Sequence, residues 1–158
     1  MYADDMDQGM ARLPRDNDQM EQAAHDITVD DITLLVDAFY SRVREDAVLG
    51  PIFNPAVHDW DEHQATLVKF WSSVVLGTRE YRGNPMAAHR PHPIVAENFQ
   101  HWLALWQDTA QTCLGEDKAR IFMGYARRIA QSLMYGLDLD PLRKPQNRPL
   151  AMHPGKAV

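Results

Sequence analysis

Residues 59–77 read DWDEHQATLVKFWSSVVLG, and the spacing of the large side chains in this stretch decides the fold. Trp60, His63, Leu67, Phe70, Trp71 and Val74 recur at steps of three and four, the repeat that puts them on one face of an α-helix. Gly77 then supplies a stop. The same repeat runs outward in both directions. Ile32, Leu35, Val36, Phe39 and Val43 form one face of a helix that begins with a capping arrangement at Thr28 and Asp31 and ends near Asp46. Phe99, Trp102, Leu103, Trp106 and Ala110 form a third between Val95 and Gly115, and Ile121, Phe122, Tyr125, Ile129 and Leu133 a fourth up to Tyr135. Gly50-Pro51 reads as a break between the first two. No stretch alternates with hairpin turns at its ends, so the expected fold class is all-α.

A second stretch, GNPMAAHRPHPI at 83–94, interrupts this pattern. Pro85 suits the first turn of a very short helix, and Pro91 and Pro93 forbid its continuation. His89 therefore stands at the end of a minimal helix. Taken alone it reads as a surface histidine near the negative end of the helix dipole.

The chain has 158 residues, of which 45% are hydrophobic and 24% charged, with a net charge of −6. These are values for one soluble globular unit with a real core. Residues 1–26 carry seven acids against two arginines and few large apolar side chains, so they are read as a flexible acidic arm. Residues 138–158 are rich in proline and carry four basic side chains, and are read as an extended tail. The folded domain is thus placed at 27–137. Its centre has no basic stripe, which argues against nucleic acid, and no apolar run is long enough to span a bilayer. The start lacks a secretory pattern, so a cytoplasmic location is expected. Cys113 is the only cysteine, which rules out an internal disulfide.

Three polar side chains fall on apolar helical faces. His63 lies one turn before Leu67, Tyr40 lies near the inner face of the first helix, and Trp102 carries its indole N–H on the third. Each needs a hydrogen-bond partner if buried. On spacing alone each also fits simple core. His58, Asp59, Asp61, Glu62 and His63 have metal-ligand chemistry, but the two histidines lie five apart and do not share a helical face well. No phosphate loop, zinc-peptidase motif or nucleophile elbow is present. His92, His58, His101, His25 and His153 fit surface or loop roles.

Taken together, AFYSRV, LGPIFNPAV, DEHQATLVKFWSSVVLG, Y-x-G-N-P-M-A-A-H and ENFQHWLALW resemble, in order and spacing, a truncated haemoglobin of group III. The resemblance implies a two-over-two helical sandwich around one haem b (iron protoporphyrin IX), with His89 as the metal ligand. It implies that Tyr40, His63 and Trp102 are the polar residues facing a bound ligand, and that Phe53, Leu67, Phe70, Trp71 and Phe99 are haem-wall residues. Arg90 is assigned to a haem propionate from its charge and its place beside His89. The implied partners are oxygen, nitric oxide, carbon monoxide or peroxide, with an unidentified reductase, and the implied chemistry includes peroxidase-like or nitric-oxide-detoxifying turnover. The competing reading is a haem-free helical interaction module that recruits a partner through its arm or tail.

Overall fold

The computed structural model describes residues 15–139. Its elements are α1 (Asp16–His25), α2 (Val29–Glu45), α3 (Gly50–Ala56), α4 (Trp60–Leu76), α5 (Pro85–His89), α6 (Ala96–Leu114) and α7 (Glu116–Gly136). There is no strand among the described residues, and none of their helices is long and apolar enough to cross a membrane.

The four long helices form two pairs, α2 with α4 and α6 with α7, and α2 also packs on α6. That contact joins the layers of the expected two-over-two sandwich. Helix α2 starts at the predicted cap: Asp31 N–H donates to Thr28 Oγ1 at 3.2 Å, and Thr28 N–H donates back to Asp31 Oδ2 at 3.0 Å. Its apolar face is wholly removed from water, with Ile32, Leu35, Val36, Phe39 and Val43 all at 0% exposure, each contributing about 1.5–3 kcal/mol of burial. Indole rings continue the core across the layers. Trp71 of α4 stacks on Trp106 of α6 at 4.5 Å and 17°, and Trp106 stacks on Trp102 at 5.7 Å and 11°.

Two sequence expectations change. The arm placed at 1–26 contains α1, whose Ala23 is buried and which packs on α7. Asp16 and Asp18 occupy its first turn, where acids favour the positive end of the dipole, and Ala23, with Met20 half-buried, makes a small face where large side chains are few. Residues 1–14 of that arm, and the tail from 140 onward, lie outside the described residues. Gly50-Pro51 is a helix start rather than a break. Proline is tolerated in the first turn because its missing N–H has no partner there anyway. The Asp46 carboxylate caps the approach, accepting the Val48 and Leu49 N–H groups at 2.9 Å each, and Asn54 Nδ2 donates to the Arg44 carbonyl at 3.0 Å.

On α7 the fully buried face is Ala119, Phe122, Met123, Ala126, Ala130 and Leu133, whereas Ile121, Tyr125 and Ile129 flank it half-buried. Ala119, Ala126 and Ala130 leave room for close packing on this face, beside the larger Phe122, Met123 and Leu133.

Truncating Leu35 to Ala is expected to lower stability by about 2–5 kcal/mol in urea unfolding; a loss well below 1 kcal/mol would show that α2 is not the centre of the core. Asp31 gives a pH signature. Burial pushes its carboxyl up, but the Lys118 ammonium at 2.8 Å and the Thr28 amide and hydroxyl outweigh that and hold it below the ordinary aspartate value. A depressed carboxyl stabilises the fold above its unfolded pKa, about 4, and loses that contribution as pH falls through the folded value. Asp31→Asn should therefore be less stable than wild type at neutral pH and indistinguishable from it in strong acid. A gap of constant size across that range contradicts the linkage.

Candidate functional site

Between α2, α4, α6 and the short α5 lies a cavity of about 260 Å³. Helix α5 is set by its local sequence. Asn84 Oδ1 accepts the Ala87 N–H at 3.1 Å, Pro85 occupies the first turn, and the helix ends at Arg90 just before Pro91. Its last residue, His89, places Nδ1 2.6 Å from the Pro85 carbonyl oxygen. A carbonyl can only accept, so Nδ1 carries the proton and Nε2 keeps its lone pair. This is the arrangement in which a protein orients an imidazole as a metal ligand.

Three polar tips share the cavity wall with His89: Tyr40 from α2, His63 from α4 and Trp102 from α6. The Tyr40 ring meets His63 edge-on at 5.6 Å and 89°. Burial pushes the Tyr40 phenol far above its usual value, partly offset by the indole of Trp102, so the hydroxyl keeps its proton. Burial also lowers the His63 pKa below its ordinary value, and the nearby His89 ring adds to that shift, which favours the neutral imidazole. His63 Nε2 is buried with no protein partner. A buried nitrogen without a partner is costly, and the side chain that carries it belongs to the cavity lining.

Every sequence-derived site residue except Arg90 lines this cavity: Tyr40, Phe53, His63, Leu67, Phe70, Trp71, His89, Phe99 and Trp102. Arg90 is exposed and is not part of the lining. His92 also stays out, lining instead a shallower groove that adjoins His63 and His89. The structure adds Leu49 just before α3, Ile52 from α3, Tyr81 from the loop before α5, and Ile129, Ala130 and Leu133 from α7. Ile129 and Leu133 carried a helical core signal, and Tyr81 begins the Y-x-G-N-P motif. Leu49 and Ile52 lie in the LGPIFNPAV motif, but reading Gly50-Pro51 as a break left them without a helical face.

This donor set fits an iron porphyrin: a single pre-oriented imidazole, a largely apolar aromatic wall, and the polar side chains of Tyr40, His63 and Trp102 on the same lining. Among the described residues no cluster of three or more histidine, cysteine or acidic side chains could hold a bare metal ion.

Comparison with known proteins agrees with this chemistry. The family model for bacterial-like globins matches residues 26–132. The group 3 truncated hemoglobin ctb of Campylobacter jejuni is 33% identical over 117 residues, covering 69% of this chain and 92% of that protein. The group 2 truncated hemoglobin YjbI of Bacillus subtilis is 33% identical over 95 residues, covering 58% and 71%. The crystal structure of the group III truncated hemoglobin from Campylobacter jejuni matches with a TM-score of 0.67 and 31% identity, over 75% of this chain and 96% of that one.

Proposed function

The chain belongs to the bacterial-like globin family as a truncated haemoglobin of group III, and on that premise we propose that its cavity holds one haem b, with His89 as the only protein ligand to iron. The observation that carries this reading is the 2.6 Å contact from His89 Nδ1 to the Pro85 carbonyl, which fixes the tautomer and frees Nε2. Bound haem would supply an iron able to take oxygen, nitric oxide, carbon monoxide or peroxide.

The protein's part is to place hydrogen-bond donors. The Tyr40 hydroxyl and the Trp102 indole N–H stand ready before any ligand arrives, so no reorganisation opposes their action on developing negative charge. In a pocket with an apolar wall such bonds are stronger than in water. His63, as a neutral imidazole, offers either a lone pair or an N–H depending on its tautomer and is the residue suited to passing a proton at the cavity mouth. Phe53, Leu67, Phe70, Trp71 and Phe99 exclude water from the remainder of the wall. Arg90, exposed beside His89, is the side chain assigned to a haem carboxylate.

Donors of this number favour holding a polarised ligand over releasing it. The reading is therefore reactive chemistry, nitric oxide oxidation by bound oxygen or peroxide reduction, with electrons from a reductase, rather than oxygen storage.

Haem titration followed in the Soret region tests the premise: the wild-type chain should take up one equivalent, and a chain that stays colourless with excess haem supports the interaction-module reading instead. For the donors, Tyr40→Phe and Trp102→Phe are each expected to raise the oxygen off-rate about tenfold, the equivalent of one hydrogen bond. Unchanged rates in both variants contradict the proposed role.

A further inference from the structure

Asp46 joins three elements through one carboxylate. Its Oδ1 caps the approach to α3 through the Val48 and Leu49 N–H groups, and both its oxygens lie within 2.9 Å of His101 Nε2 on α6. His101 directly precedes Trp102, and α3 together with its N-cap residue brings Leu49, Ile52 and Phe53 into the cavity wall. One side of the joint is thus the α3 wall and the other is the turn of α6 that presents the indole donor.

Helix α3 has seven residues, too few to hold its own shape without tertiary contacts. Its Phe53 ring packs on Tyr40 at 5.9 Å, so a shift of α3 reaches the phenol as well. Only 18% of the Asp46 side chain and 39% of the His101 side chain are exposed, which limits how far water can replace the contact. A second link between α2 and α6 lies about two helical turns further on: Arg42 Nη1 meets Asp108 Oδ2 and Thr109 Oγ1 at 2.8 Å each. That link is more exposed, at 44% and 65% for its charged side chains, and lies away from Trp102.

We propose that Asp46 and His101 are positioning residues for the ligand pocket, holding the α3 wall and Trp102 in register and so setting how Tyr40 and Trp102 act on a bound ligand. This rests on the haem reading above. Replacing His101 with Ala frees the α3 corner from α6, and the two donors then sample several placements around the ligand.

Carbon monoxide on the ferrous, haem-loaded full chain is the probe, read by the infrared C–O stretch, with the oxygen off-rate measured beside it. His101→Ala should split or broaden the C–O band and raise the off-rate by up to about tenfold, the equivalent of one ligand hydrogen bond. His101→Gln, which keeps a neutral N–H donor near the Nε2 position, should restore the single wild-type band. Asp108→Asn, which weakens only the remote link, should leave the band unchanged. In the haem-free chain, hydrogen exchange at Val48 and Leu49 should speed up in His101→Ala. A wild-type band in His101→Ala, a glutamine variant as broadened as the alanine variant, or unaltered exchange at Val48 and Leu49 overturns the positioning role alone. A wild-type chain that takes up no haem overturns the haem reading and this role with it.

Discussion

A helix of five residues cannot hold itself in water, because nucleation costs more than so few hydrogen bonds return, and the imidazole proposed as the iron ligand sits at the end of one. The position of His89 therefore depends on contacts beyond the helix's own backbone hydrogen bonds. Asn84 caps the start and Pro85 presets the first backbone angle. Met86 packs into the smaller cluster with Phe99, Leu133, Leu137 and Leu139, and the absent side chain of Gly136 makes room for it on α7, where a Cβ would collide with the Met86 thioether. The Pro85 carbonyl then fixes the ring itself. Each contact is modest, and together they replace the stability that a longer helix would have had.

The same logic explains why the aromatic side chains are both core and wall. Trp71 and Trp102 face the cavity on one side and stack on the fully buried Trp106 on the other. Such flat contacts keep the far side of the cavity rigid while its near side remains lined by side chains of intermediate exposure, among them His63, Leu67 and Phe70. Rigidity on one side and polar tips on the other give a pocket whose donors are placed before any ligand binds.

Much of this was legible in the sequence, for identifiable reasons. The four long helices follow from a three-and-four repeat that tertiary packing did not override, and α5 follows from prolines that leave little freedom. His63, Tyr40 and Trp102 stood out because polar tips on apolar faces demand partners. Where reading from sequence fell short, the cause was local chemistry acting at a distance. Helix α1 depends on a small face meeting α7. Helix α3 depends on an Asp46 carboxylate placed before Gly50-Pro51, a cap no periodicity displays. His101, read as a surface residue, gains its role only because α6 brings it to Asp46, 55 residues away in the chain. Arg90 illustrates the reverse case: adjacency to His89 in sequence did not bring it into the cavity lining.

The central claim is that one imidazole, His89, holds iron while its near neighbour His92 does not. Resonance Raman spectroscopy of the ferrous haem-loaded protein measures this directly through the iron–histidine stretch. The account predicts a band for a neutral imidazole hydrogen-bonded to a carbonyl, preserved in His92→Ala and lost in His89→Ala. A band that survives in His89→Ala, or that disappears in His92→Ala, contradicts it.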